Sequence, residues 1–333
     1  MRSPTVVRRR TRSGRIGGAA VLMAIVLLAA GCEFVAIPGV PTSCTLTPAD
    51  SVWRSRVTNL PVHARSGSYM STIGTGADLK ADFGSGLWDG GPIGIPYVVV
   101  SGSQPKVPVS FYYPTQSDPG GYPIPANPPI EGGPDGDGDR HILMVDKDNC
   151  RLYETYDMYP VENSTAWEGG SGVIWDMRSN AMRPAGWTSA DAAGLPILPG
   201  LVRYEEVAAG KVLHAIRITV PVTQTTYVWP ASHQAGSTAS LNAPPMGTWL
   251  RLKSTIDPDD FGPQTRPIVV ALQTYGAIVA DNGSALYMSG APDERWDNDQ
   301  LRELLEIQGS DFEVVDATSL KVANGSYQST TAS

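Results

Sequence analysis

The chain has 333 residues, of which 35 are glycine and 28 proline, and it carries 33 acidic side chains against 25 basic ones. That length suits one large β-rich domain or two ordinary ones, and the glycine and proline content excludes a chain built mainly of long helices. A net charge of −8 excludes a surface made to hold nucleic acid or anionic lipid, since both repel an acidic protein.

Arg2, Arg8, Arg9, Arg10, Arg12 and Arg15 lead into an uncharged run from Ile16 to Ala30. A basic region followed by a short apolar stretch is the layout of a bacterial secretory signal, and the run falls short of the about 20 residues a membrane span needs. Ala30-Gly31 ahead of Cys32 resembles the lipobox of bacterial lipoproteins. The resemblance implies cleavage before Cys32 and a lipid on its sulfur. The expectation is an extracytoplasmic protein anchored to the cell membrane through that lipid alone. Taking the six signal arginines from the 25 basic residues leaves 19 against 33 acidic, a net charge of −14. With Cys32 lipidated, Cys44 and Cys150 remain, and an exported protein permits a disulfide between them; the alternative is two separate buried thiols.

Residues 1–31 are thus expected as the signal peptide, 32–51 as a tether, 52–316 as a single β-rich domain and 317–333 as a flexible Ser/Thr-rich tail. Strands are expected at Ile95–Val100 and at Val107–Tyr113, the second with Pro108 marking an edge. Asp118 to Asp139 is dense in proline and glycine and reads as a long loop, of the kind that is usually functional or disordered. A hairpin follows, from His141 to Glu154. With Lys147–Asn149 as its turn, Ile142 faces Glu154 and Met144 faces Leu152, so Glu154 shares an apolar face while His141 lies on the other. Further strands are expected over Gly172–Met177, Val212–Val220, Thr225–Trp229, Thr248–Lys253, Ile268–Tyr275, Ala277–Asp281 and Ala285–Ser289. Single helical turns are expected at Ser189–Ala193 and Tyr204–Ala209. The best helix is Trp296–Ile307, with Asp297 or Asn298 as cap and Leu301, Leu304 and Leu305 as its apolar stripe. Many strands, turn residues between them and few short helices predict a mainly β fold, a β-sandwich or jelly roll, with a β-propeller as the alternative.

No complete catalytic motif is present: there is no G-x-S-x-G elbow, no H-E-x-x-H and no dinucleotide fingerprint. Asp135, Asp137 and Asp139 alternate with glycine and form a candidate calcium site, although Arg140 stands where an EF-hand needs glycine. No cofactor is otherwise required by the sequence. Two carboxylates about 5–10 Å apart suffice for glycoside hydrolysis. The strand-borne candidates for acid/base work are Glu154, Asp176 and Asp281, with His141 and His214; His233, at a strand end, has a plainer reading as a loop histidine. Glu154 stands out because an apolar face raises a carboxyl pKa. A lyase would instead combine a histidine or tyrosine base with a uronate-binding group, and His214, Arg217, Gln273 and Tyr275 could supply that set. Trp187, Trp229 and Arg183 are candidates for substrate contact, by stacking or charge.

The segments Gly138–Leu143, Arg183–Asp191, Leu195–Tyr204, Tyr227–Pro230 and Trp296–Asp299 give the chain a resemblance to a group of uncharacterised secreted bacterial proteins. The resemblance runs from Tyr122 to Asp316 and implies one folded unit over about 95–316, with no activity to transfer. Together these features predict an extracytoplasmic lipoprotein acting on an extracellular glycan as a glycoside hydrolase or polysaccharide lyase. The alternatives are a non-catalytic carbohydrate-binding lipoprotein and a structural one at the cell surface.

Overall fold

The computed structural model describes Met1 and residues 34–330. Residues 2–33, which hold the expected signal and Cys32, and the last three residues lie outside the described residues. In chain order the strands are β1 (Lys80–Asp82), β2 (Leu87–Trp88), β3 (Gly91–Pro92), β4 (Tyr97–Val100), β5 (Val107–Phe111), β6 (Gly121–Tyr122), β7 (Ile142–Asp146), β8 (Arg151–Tyr156), β9 (Tyr159–Val161), β10 (Ala166–Gly169), β11 (Ser171–Asp176), β12 (Ile216–Val220), β13 (Trp249–Leu252), β14 (Ala277–Asn282), β15 (Tyr287–Ser289) and β16 (Phe312–Val315). The α-helices are α1 (Ser66–Ile73), α2 (Tyr204–Ala208), α3 (Arg266–Thr274) and α4 (Asn298–Leu301). The fold is mainly β, with several sheets and few short helices. A six-stranded sheet has the order β1-β15-β12-β14-β13-β16, two four-stranded sheets run β11-β8-β7-β4 and β6-β5-β10-β9, and β2 pairs with β3. Among the described residues no sheet closes into a barrel or propeller.

The β11-β8-β7-β4 sheet is covered on both faces. Ile142, Met144 and Tyr153 pack with Tyr122 and Trp167 on one side. Leu143, Val145 and Leu152 pack with Ile197, Leu198 and Leu201 on the other. This accounts for the unbroken apolar run of β7, since a strand buried on both faces does not alternate. Gly172 lets the layers close: a Cβ there would lie 2.2 Å from the Phe111 ring. The six-stranded sheet carries the largest core, which includes Trp53, Ile216, Ile218, Trp249 and Ile278.

Three expectations change most. The hairpin turn holds four residues, not three, because Asp146 pairs with Arg151 and Cys150 takes a positive φ of 51°. The register therefore moves by one, Glu154 faces Leu143, and alternation puts His141 on the same side as Glu154. Residues 268–275, read as a strand, form the core of α3. Pro267 sits in its first turn, Ile268, Val269, Ala271 and Leu272 are buried at helical spacing, and Val270 is exposed. The β-branched residues yield to that tertiary pattern, and Gly276, at φ 70°, ends the helix. The third change concerns the ends of the domain. The tether segment packs through Ile37, Val40 and Cys44, and the tail through Leu320 and Tyr327, whose hydroxyl donates to the Gly194 carbonyl at 3.0 Å. Apolar side chains in both segments have core to bury against, so neither is a loose linker as far as Thr330.

Cys44 and Cys150 are joined by a disulfide, which fixes the N-terminal arm to the β7–β8 hairpin. Thr225–Trp229 contributes only the isolated bridge of Tyr227 with Met246, and β16 was not anticipated. Asp297 caps α4 by accepting from the Asp299 and Gln300 amides, as the sequence predicts. No helix among the described residues is long and apolar enough to cross a membrane.

Candidate active site

Strands β15, β12 and β14 of the six-stranded sheet and the start of β7 line two adjoining cavities of about 400 and 350 Å³. Both are lined by Asp139, His141, Asp281 and Asn282, so they form one cleft. Arg217, the second residue of β12, supplies its floor. Its guanidinium donates to Asp191 Oδ1 at 2.9 Å, to Asp281 Oδ2 at 3.1 Å and to Ser289 Oγ at 2.7 Å. Alternation along this strand puts Arg217 and Thr219 on one face and Ile216, Ile218 and Val220 on the other, where all three are buried in the core. A register shift between Ile218 and Thr219 then brings Asp281, rather than Ala280, opposite Thr219. Bulges re-aim side chains in this way, and here one turns Asp281 towards the cleft.

Burial pushes the Asp281 carboxyl up to about 6, against the pull of Arg217 and with a further push from Asp191 and Asp139. Asp191 is wholly buried beneath it, and its Oδ2 has no hydrogen-bond partner. Burial also raises the Asp191 carboxyl, against the attraction of Arg217. A buried arginine needs a carboxylate partner, which Asp191 supplies from below, since a lone buried charge costs several kcal/mol.

The opposite wall comes from the chain before β7. The Asp139 carbonyl accepts from the Asp157 amide at 2.8 Å, and His141 Nδ1 lies 3.0 Å from the Thr155 carbonyl oxygen. The long Pro/Gly loop doubles back so that the Glu131 amide donates to the His141 carbonyl at 3.1 Å. Glu131 thereby joins the site, which no local pattern in the sequence announced. Tyr113, largely exposed, and Tyr156 stand at the rim, with His233 held through Nδ1 by the Ala192 carbonyl at 2.9 Å.

The Arg183–Asp191 segment does build a wall of the cleft, but Arg183 works from behind it. Its guanidinium donates to Asp118 at 2.7 Å, to the Gln116 carbonyl at 2.5 Å and to the Thr188 carbonyl at 3.2 Å. Gln116 Oε1 in turn accepts from the Thr188 amide at 2.9 Å. Trp187 lies against the Arg183 guanidinium, 5.2 Å from ring centre to Cζ. Both are therefore positioning groups for the lining residues Gln116 and Thr188.

Of the residues expected at a site, His141, Asp139, Asp281 and Arg217 are brought together. Glu154 is not among them. It is fully buried, and its carboxylate accepts from the Ile197 and Leu198 amides and from Trp175 Nε1 at 2.8–3.0 Å. Burial raises its pKa to about 7 despite these donors. Asp176 lines a separate cavity of about 300 Å³ and pairs with Arg151 and Arg178, which with the Arg178 amide hold it below its usual range in spite of partial burial. His214 is bound to Glu206 through Nε2 at 3.1 Å. Gln273 spends its amide on the Lys253 and Ile256 carbonyls, Tyr275 packs in the core, and Trp229 donates to the Ser326 carbonyl. The lyase set of His214, Arg217, Gln273 and Tyr275 is thus dispersed: α3 carries Gln273 and ends at Tyr275, where a strand had been expected.

The calcium triplet also separates. Asp135 and Asp137 are exposed, whereas Asp139 meets Glu131 and His141. The reason is Arg140, whose buried guanidinium draws in the Pro134 carbonyl at 3.0 Å and the Gly136 carbonyl at 2.6 Å. An arginine occupies the place where those loop oxygens would have met a cation. No protein family, no curated protein and no solved structure matches the chain.

Proposed function

We propose that this protein is an extracytoplasmic lipoprotein that hydrolyses an extracellular glycan in the cleft between Asp281 and the Asp139–His141 wall. The carrying observation is the convergence of an arginine-held, partly buried carboxylate and a second, exposed carboxylate beside a histidine in one open polar cleft. Glycoside hydrolysis divides its work between a carboxylic acid that protonates the leaving oxygen and a second group that activates water. Asp281, with its raised pKa, suits the acid. Asp139 and His141 suit the water-activating side. Tyr113 at the rim offers a ring face for a sugar. Hydrolysis is favoured over elimination because Arg217 is already held by Asp191, Asp281 and Ser289 and has little left for a uronate.

The finer architecture enters on the same footing. Separate cores on the two faces of the β11-β8-β7-β4 sheet support a sandwich-like layering, while the parallel pairs β4–β7, β5–β10, β12–β14 and β1–β15 count against a jelly roll. The lipobox-like Ala30-Gly31-Cys32 and the likeness to secreted bacterial proteins support export and anchoring.

A polysaccharide panel read by reducing-end release and by binding tests the activity. The wild type should release products from at least one glycan, and Asp281→Asn should lower the rate by about 10²–10⁴-fold while still binding it. Binding without products from the wild type would turn the assignment to a carbohydrate-binding protein, and neither would remove the glycan altogether. Cys32→Ala should shift the exported protein from the membrane to the soluble fraction; unchanged membrane association and processing would refute the anchor.

A further inference from the structure

Glu131, Asp139 and His141 come from a loop, a strand approach and a strand start, yet one donor atom of each lies within 4.8 Å of the other two. His141 is 2 % exposed. Its Nδ1 sits 3.0 Å from the Thr155 carbonyl oxygen, which can only accept, so Nδ1 carries a proton and the neutral ring offers a lone pair at Nε2. That lone pair faces Glu131 Oε2 at 3.8 Å, beyond hydrogen-bond range. Glu131 Oε2 is itself buried and has no hydrogen-bond partner. Three electron-pair donors thus lie close together, one on a buried ring and one a carboxylate oxygen that is itself shielded from water.

We infer that Glu131, Asp139 and His141 form a binding site for a divalent transition cation of the Zn²⁺ or Mn²⁺ class. Ligand bonds of about 2.0–2.2 Å to one ion bring donor atoms within roughly 3–4 Å of one another, so only a small contraction of this cluster is needed. An imidazole nitrogen with two carboxylates selects such a cation over calcium, which takes six to eight oxygens. The surroundings are those of a ligating histidine: its second nitrogen donates to a backbone carbonyl, and the Glu131 amide ties its own loop to the His141 carbonyl. Three protein ligands leave a coordination position open, the pattern of catalytic rather than structural sites. That position faces the cavity shared with Asp281 and Arg217. A cation here would supply Lewis acidity to the cleft.

The inference shares the cleft with the proposed hydrolysis but does not rest on it, because the test contains no glycan. Chelator-treated protein is titrated with ZnCl₂ and MnCl₂ by calorimetry, with CaCl₂ and MgCl₂ alongside, and its melting is followed with and without metal. One Zn²⁺ or Mn²⁺ per chain and a raised Tm are expected, without a comparable response to Ca²⁺ or Mg²⁺. Asp139→Ala should weaken binding by about tenfold or more. Asp139 is exposed, so an unchanged metal-free Tm shows that this variant still folds. His141→Gln should abolish binding, and the double variant Asp135→Ala, Asp137→Ala should bind as the wild type does. Absence of stoichiometric binding by the wild type overturns the site. So does equal affinity in Asp139→Ala, or a loss confined to the Asp135/Asp137 variant, which would reveal a diffuse acidic surface.

Discussion

Glu154 carries a carboxyl into the interior of β8, where three neutral donors hold it. Two of these are consecutive backbone amides at the turn that begins at Ile197, so the side chain fastens that turn to the sheet. Both oxygens accept, and an amide in place of the carboxyl would point a donor at a donor. Glu154→Gln should therefore cost about 1–3 kcal/mol in urea unfolding, the usual penalty for a buried polar group left without its partner. An unchanged midpoint would show that the turn does not depend on the carboxylate. The same residue marks the limit of reading chemistry from alternation. An acid on an apolar face was legible, and its pKa is raised, but the backbone donors that claim it come from more than 40 residues away. Arg140 is the converse case. Its place in the Asp/Gly run was visible as a flaw in a calcium loop, and the structure gives the flaw a role as the internal cation of that loop.

At the level of elements, most strands were legible because their apolar residues alternate or run together. What escaped was set by distant packing. A run of Ile, Val and Val spells strand by local propensity, yet its neighbours Pro267 and Gly276 bracket a helix, and the core takes up four of its side chains at helical spacing. The hairpin register turned on one positive φ at Cys150, a residue fixed by its bond to Cys44. Closing a loop of 106 residues removes chain entropy worth about 4–5 kcal/mol in the simplest treatment. The Pro/Gly loop was read as functional or disordered, with Asp135, Asp137 and Asp139 as its named residues; Asp139 reaches the cleft, and so does Glu131 at the loop's turn. Gly132 and Gly133, with φ of 72° and 84°, make that reversal possible. The pairing of Asp139 and His141 could be seen in sequence, but their meeting with Asp281 depends on a bulge in a parallel strand pair.

Taken whole, the molecule places raised and lowered carboxyls in opposition, and this sets the pH at which it is most stable. Glu154 and Asp281 have folded-state values of about 7 and 6, both raised chiefly by burial, with Asp191 and Asp139 adding to the push and Arg217 opposing it at Asp281. Between the unfolded value and the folded one, the native state binds more protons than the unfolded chain, so stability falls as pH rises. Their contribution is complete below about pH 4 and lost through pH 6–7. The opposite group is held down. Glu206 is kept low, in spite of burial, by Arg203 and His214; Asp293 by Arg295; and Asp316 by Thr318. Their contribution is present above the ordinary carboxyl range and lost as pH falls below it. The expected profile of unfolding free energy therefore peaks near pH 4–5 and declines towards neutrality by on the order of 5 kcal/mol, one pKa unit being worth about 1.4 kcal/mol. The net charge of −8 works in the same direction, since self-repulsion grows as the last carboxyls ionise. Denaturant unfolding in steps from pH 3 to pH 8 measures the profile. In Asp281→Asn the fall from pH 5 to pH 7 should be shallower, because one of the two groups that drive it no longer titrates. A profile that rises to pH 7, or one that the substitution leaves unchanged, would mean that Asp281 is ionised without cost in the folded protein. It would then lack the property that suits it to donate a proton.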